Sequence, residues 1–445
     1  MNQPRPRCLV IADDLTGGAD TGAQFAKRGL RTILISLRDH PSLNLTEVLE
    51  AEALVVNTDS RGLRPGRAYS LLLDLMSHYD PNLFPLVYKK VDSTLRGNIG
   101  WEVDALFDGG TFTLGFFAPS FPEQQRTLVD GVLRVRGIPL ALTEAAMDRV
   151  SPVSESRADK LLGAQSHRRI ARIDLSDVAE GGVKLRKEIE AASAQGNQLI
   201  LFDAAERQDL RHVAEAGFDE TQKVFFIGSA GLAGEVAKKL APSTERRIFL
   251  SPHTPGATRH VLIISGSAST ITHQQLNRLE KRKDVQTFEL TPWLIQQEET
   301  EVAGPLKELA AKLGKALSRG HALLRTCSVR LSESLPGKPP VHVEIARRLG
   351  QSAFFTLEAS ELPRQGLSLL IVGGDTMRSV LDALQSKKLE ILGEITEGIV
   401  LSQLMDGVGS GLPVVTKAGA FGKEDTLEQV LRILESGKPG RSVKA

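Results

Sequence analysis

Cysteine, aromatic residues and net charge are all scarce in this chain, and each shortage excludes something. Its 445 residues include only Cys8 and Cys327, which cannot make a disulfide framework and suit a reducing compartment. Aromatic residues make up 5% of the chain, too few for the stacking platforms that grip single-stranded nucleic acid. Lys+Arg 55 against Asp+Glu 54 leaves a net charge of +1, so no basic field exists for a phosphate backbone. No apolar run nears the roughly 18–20 residues of a membrane span. The run Cys8–Ile11 is also shorter than the roughly 7–15 residues of a signal-peptide core. A cytoplasmic protein with small-molecule ligands, no nucleic-acid or membrane partner and room for a homo-oligomer is expected. Walker, dinucleotide, H-E-x-x-H and C-x-x-C motifs are missing as well, and the 9 histidines show no ligand spacing. Zinc and Ser-His-Asp chemistry are therefore disfavoured, and His167 and His273 read as surface or hydrogen-bonding residues.

Short apolar runs alternate with helical spacing from end to end. "TILISL", "ALVVNT", "LVYKKV", "TLGFFAPS", "QLILFD", "VFFIGS", "VLIISGS", "SLLIVGG" and "LPVVTK" predict strands. Ile99, Val103, Leu106 and Phe107 share a helix face, as do Met377, Leu381 and Leu384, and Leu427, Val430, Leu431 and Leu434. This alternation predicts two α/β domains with largely parallel sheets, in which ligands sit beyond the carboxyl ends of the strands. The proline-rich stretch 241–260 predicts a linker between an N-terminal domain over 1–240 and a C-terminal domain over 261–430, with a tail over 431–445. Residues 330–342 read as a surface loop.

Polar residues of the first half gather at strand ends. They are Asp13, Asp14 and Thr16 after "LVIA"; Thr58, Asp59, Ser60 and Arg61 after "ALVVN"; Lys89, Lys90, Asp92, Ser93, Thr94 and Arg96 around "YKKVDSTLRG"; and Ser120, Glu123 and Arg126 after "FFAPS". In a parallel sheet these loops converge on one rim, where carboxylates align or deprotonate hydroxyls and fixed cations take a carboxylate. A small polyhydroxylated anion is the expected ligand. Singly, an Asp here can be a helix cap, one of the two lysines a solvated group and Arg126 a surface residue. Their number after successive apolar runs favours a site. Gly17 and Gly18 read as room for a turn into the next helix, and Asp20 as a first-turn acid that favours its dipole.

Glycine loops mark the second half: Ser265, Gly266 and Ser267; Gly373, Gly374, Asp375 and Thr376; and Lys417, Gly419 and Gly422. Glycine lets backbone N–H groups approach phosphate oxygens, and a helix N-terminus adds its dipole. Lys417 can offset phosphate charge. Three such loops favour a nucleotide site, although any one alone is an ordinary strand-to-helix turn. Gly228–Gly231 looks alike but precedes the linker and reads as tight packing.

The motifs "ADDLTGGADTGAQFAKRG", "NTDSRGL", "YKKVDSTLRGNIG", "APSFPEQQRTLVDG", "ISGSAS", "GGDT" and "KAGAFG" together resemble the four-carbon acid sugar kinase family, in that family's order and over nearly the whole chain. The resemblance implies an N-terminal substrate-binding domain for the sugar acid, a C-terminal nucleotide-binding domain for ATP with Mg²⁺, an active site in the cleft between them, and phosphorylation of a terminal hydroxyl. The spelling of the first and third motifs looks more like the threonate and erythronate branch than the 3-oxo-tetronate one. D-threonate is the expected substrate, with D-erythronate, 3-oxo-tetronate and a non-catalytic binding effector as alternatives. The resemblance implies ATP contacts at Ser265 or Ser267, at Gly373 to Thr376 and at Gly419, and a substrate near Asp14, Arg61, Lys89, Asp92 and Arg96. The loops and the rim themselves add Gly266, Lys417 and Gly422 to the expected ATP site, and Asp13, Asp59, Lys90 and Arg126 to the expected substrate site. Asp14 is the first choice for general base and Asp92 the second; Asp375 is a third, equally suited to Mg²⁺ or a helix cap. One departure stands out: Gln124 and Gln125 stand where the family commonly has a small residue and glycine before Arg126.

Overall fold

In a computed structural model, the described residues are 6–37, 50–79, 82–148, 150–241, 260–326, 339–363, 366–419 and 421–436. The expected linker falls almost wholly outside them, as do Cys327 and most of the 330–342 loop. Two compact units emerge, Met1–Arg246 and Arg247–Ala445.

The strands of the first unit's main sheet are β1 (Cys8–Ala12), β2 (Thr32–Ser36), β3 (Ala53–Asn57), β4 (Leu86–Lys90), β5 (Leu114–Ala118), β9 (Ile170–Ile173), β10 (Leu199–Phe202) and β11 (Val224–Gly228). They run in the order β2-β3-β1-β4-β11-β5-β10-β9, and every pairing among them is parallel. β1, β3, β4 and β5 are buried along their whole length, because helices cover both faces and leave no strand side for water. From β1 the chain winds one way to β2 and β3, then crosses to β4 on the other side. That reversal opens a crevice at the carboxyl ends of β1 and β4, the usual ligand position in such sheets.

A second, antiparallel sheet of β6 (Arg126–Val129), β7 (Val132–Val135) and β8 (Ile138–Pro139) was not expected. Its two turns carry Asp130-Gly131 and Arg136-Gly137, all four at positive φ. This is the left-handed pair that two-residue hairpins require.

In the second unit, β12 (His260–Ser265), β13 (Val285–Leu290), β14 (His321–Thr326), β15 (Leu367–Val372), β16 (Lys388–Thr396), β17 (Ile399–Leu404) and β18 (Pro413–Lys417) lie in the order β13-β14-β12-β15-β18-β17-β16. The first five in that order are parallel and the β16–β17 hairpin joins antiparallel. The winding reverses again, here between β12 and β15. All nine sequence-predicted strands form, as do the three helical faces, in Ile99–Gly109, Gly374–Ala383 and Thr426–Ser436. The last of these carries regular structure past residue 430.

Candidate active site

β1 delivers Asp13 and Asp14 to the edge of the first crevice. Asp14 occupies the cap position of the helix Leu15–Ala26 in extended backbone, yet its side chain makes no capping bond. Arg61, brought in after β3, takes it instead. Arg61 Nε donates to Asp13 Oδ2 at 2.7 Å, and Nη2 donates to Asp13 Oδ1 at 3.0 Å and Asp14 Oδ1 at 2.5 Å. Thr16 Oγ1 donates to Asp14 Oδ2 at 2.6 Å. Side-chain exposure separates the carboxylates: 3% for Asp13, 11% for Asp92 and 21% for Asp14. Asp14 is the one most open to a ligand.

Gly17 and Gly18 lie inside the helix rather than in a turn before it. They are small because the helix presses on the site. A Cβ on Gly17 would strike Asp14 Oδ1 and lie 2.8 Å from Lys90 Nζ, and one on Gly18 would crowd Ala12, Leu34 and Val55. Asp20 is not the first-turn acid expected of it: the first turn of the helix Leu15–Ala26 holds no acid, and Asp20 lies too far along to serve the dipole.

Successive strand residues face opposite ways, and this parts the two lysines. Lys90 shares the Asp14 face and donates to Val91 O at 2.7 Å. Lys89 faces the other side, fully buried, and pairs with Glu102 Oε2 at 2.6 Å. Ser60 Oγ donates to Glu102 Oε1 at 2.6 Å. The expected substrate contact at Lys89 is thus spent on the interior of the sheet. Asp59, at φ 55, turns the chain from β3 towards Ser60 and Arg61.

Beyond β4, Asp92 Oδ2 accepts from Thr94 Oγ1 at 2.5 Å and Arg96 Nε at 2.5 Å. Arg96 Nη1 also donates to Asp148 Oδ2 at 2.8 Å, a partner with no signal in the sequence. Arg126 Nη1 donates to Ser93 Oγ. Burial works to raise both acids, but neighbouring cations win. Arg61, Lys90 and Thr16 hold Asp14 below the ordinary carboxylate value, and Arg96, Arg61 and Lys90 hold Asp92 well below it. Both carboxylates are therefore ionised proton acceptors at neutral pH. Burial pulls Arg126 down and, against Lys89, pushes Glu102 up.

The second crevice collects the glycine loops. Ser265 ends β12, and its buried hydroxyl has no hydrogen-bond partner among the described residues. In the register Arg325–Ser265–Val372–Lys417 it lies between two cationic strand ends. A Cβ on Gly266 would come 2.6 Å from Thr376 Oγ1, and one on Gly419 would strike Ser267 Oγ. Gly373, at φ 112, opens the helix Gly374–Ala383, whose Gly374 and Asp375 are exposed. Lys417 is buried, and Nζ donates to Ala418 O at 3.1 Å, Gly419 O at 2.9 Å and Thr272 Oγ1 at 3.3 Å. Burial lowers its pKa to about 8. It shapes the loop that carries Gly419. Gly422, at φ 85, belongs to the turn before Thr426–Ser436, where Thr426 Oγ1 accepts Lys423 N at 2.7 Å.

Gly228 and Gly231 are packing glycines as expected, crowded by Ala118 O and Ser120 O. His167 is exposed beside Asp104, and His273 bonds Arg325. Asp284, His321 and Glu435 converge like metal ligands, but Arg282 already bridges the two acids. His321 Nδ1 also accepts Val261 N–H at 3.1 Å, so its proton sits on Nε2, the nitrogen a metal would need. No helix among the described residues is long and apolar enough to cross a membrane.

Residues 8–236 match a family described as a sugar-binding N-terminal domain, and residues 262–427 one described as a nucleotide-binding C-terminal domain. A D-threonate kinase of Salmonella typhimurium is 32% identical, the match covering 96% of this chain and 98% of that one. A D-erythronate kinase of Heliobacterium modesticaldum is 28% identical, with 94% of each chain covered. A solved structure from Salmonella typhimurium LT2 shares the fold, with a TM-score of 0.78 at 22% identity over 96% of this chain and 99% of that one. The two crevices thus lie one in each matched domain, and the chain belongs to the four-carbon acid sugar kinase family.

Proposed function

We propose that the chain is an ATP-dependent kinase that phosphorylates the 4-hydroxyl of D-threonate. The observation that carries this reading is the Arg61 clamp, which fixes two adjacent carboxylates while leaving Asp14 the more open. The name of the 32% identical relative supports the choice of substrate. Arg61 and Arg96 each use Nε and one Nη nitrogen on aspartates; a guanidinium has five N–H donors. The remaining nitrogen of each suits the substrate carboxylate. Asp14 accepts the proton of the 4-hydroxyl as its oxygen bonds to the γ-phosphorus and the bond to ADP breaks. Because the transferred group carries little covalent demand, positioning and charge matter more than base strength.

The second crevice suits a nucleotide on its own residues. Its Ser265 hydroxyl, unpartnered among the described residues, the glycines that hold backbone close, and the N-terminus at Gly374 match phosphate oxygens. Asp375, exposed at that terminus, offers the oxygen donor that Mg²⁺ prefers. Mg²⁺ bound there would offset the charge of the triphosphate.

An assay coupled to ADP release, run with ATP over D-threonate, D-erythronate and 3-oxo-tetronate, tests the reading. The highest kcat/KM is expected with D-threonate. A preference for either other acid overturns the choice of substrate. Nucleotide binding without turnover of any acid overturns the kinase and leaves a binding protein.

A further inference from the structure

Arg96 is gripped from two sides. Asp92 holds Nε at 2.5 Å, and Asp148, far along the chain in "AAMDRV", holds Nη1 at 2.8 Å. A planar guanidinium fixed at two edges keeps its orientation, whereas one fixed at a single edge swings on a long stem.

Asp148 is itself anchored by a turn. Its Oδ1 accepts the backbone N–H groups of Val150 at 3.0 Å and Ser151 at 2.8 Å. Ser151 Oγ in turn donates to Arg61 O at 3.3 Å. One short turn thus ties the loop after β4, which carries Arg96, to the loop after β3, which carries Arg61. Burial would raise the Asp148 carboxyl, but the N–H of Ser151 and Arg96 outweigh it and hold it below its ordinary value. It is ionised at neutral pH.

We propose that Asp148 is a positioning residue for the sugar acid: it fixes the Arg96 guanidinium so that the Nη nitrogen it leaves can meet the substrate carboxylate. This rests on the kinase reading above. Asp148 touches no reacting atom, so its effect falls on substrate affinity rather than on the chemical step.

The two jobs of this carboxylate separate by substitution. Asp148→Asn keeps an oxygen for the Val150 and Ser151 N–H groups, but turns an amide donor towards Arg96, which has nothing to accept it. Asp148→Ala loses both jobs. With Asp148→Asn, KM for the sugar acid rises about tenfold, the loss of one charge-assisted bond. The kcat, the KM for ATP and the melting temperature stay at the wild-type values. Asp148→Glu recovers part of the affinity.

A purely structural turn predicts the opposite pattern, with Asp148→Asn like wild type and only Asp148→Ala impaired and less stable; that result overturns the inference. If the wild type phosphorylates a four-carbon sugar acid and Asp148→Asn leaves its KM unchanged, the inference falls while the kinase reading stands. A wild type that neither binds nor phosphorylates these acids defeats both.

Discussion

Lys89 Nζ and Glu102 Oε2 stand 2.6 Å apart on the sheet face opposite Asp14, with side-chain exposures of 0% and 2%. The pair connects β4 to the helix Ile99–Gly109, and through Ser60 to the loop that carries Arg61. It is a brace beneath the candidate site. Lys89→Met leaves Glu102 buried without its cation, at a cost of about 3–5 kcal/mol. Lys89→Met combined with Glu102→Leu removes both charges and costs less than the sum of the two single changes. Urea unfolding of the four proteins measures the coupling, and strictly additive losses would show that the pair is not a unit.

Gly17 tests whether the helix Leu15–Ala26 was drawn close for function. Alanine is favoured over glycine in a helix interior by roughly 0.5–1 kcal/mol, so backbone preference alone predicts a more stable Gly17→Ala. The new methyl would meet Asp14 Oδ1 and the Lys90 ammonium. Displacing a reacting group by an ångström costs on the order of 100-fold in rate. Loss of turnover on that scale with an undiminished melting temperature is expected. Full activity would mean that Asp14 takes no part.

How much of this was legible beforehand depended on how local each cause is. Buried parallel strands announce themselves as apolar runs, so Cys8–Ile11 and Val261–Ile264 could be read directly, with the polar residues that follow them. Lys89 and Lys90 alternate by the strand's own period, but only the position of Glu102 on a later helix decides which of them is spent. The β6-β7-β8 sheet does have a local signal, because Asp130-Gly131 is a hairpin turn pair. Gly17 and Gly18 look the same in a turn or a helix, and only the approach to Asp14 and Lys90 tells them apart. Asp148 left no signal, since its partner Arg96 is distant in sequence and nothing local requires an acid there.

Lys417 should leave a mark on the pH dependence of stability. Its pKa in the folded chain is about 8, lowered by burial from the ordinary 10.5. Below pH 8 both folded and unfolded chains hold the proton, and the folded state bears the full penalty of a buried charge. Between about pH 8 and 10.5 the unfolded chain binds more protons, so this group makes stability rise with pH. Lys417→Met removes that rise. Urea midpoints of the two proteins from pH 7.5 to 10 should therefore diverge in favour of the wild type. A constant difference would mean that burial does not perturb this amine.

Gln125 sits at φ 54 and ψ 38 between the 3-10 turn Pro122–Gln124 and Arg126. That left-handed conformation costs an L side chain roughly 1–2 kcal/mol, and glycine adopts it without penalty. Its backbone is fully engaged: Gln125 N–H donates to Pro122 O at 2.8 Å and Gln125 O accepts from Arg136 N–H at 2.7 Å. The turn therefore cannot relax into another shape. Gln125→Gly keeps both bonds and relieves the strain, less the greater freedom glycine has in the unfolded chain. A net gain of about 0.5–1 kcal/mol is expected, while Gln125→Val, branched next to the backbone, should destabilise. Chemical denaturation reads both changes. Because Arg126 meets Ser93 through its guanidinium, KM for the sugar acid should stay the same in Gln125→Gly; a changed KM would show that the glutamine itself shapes the site.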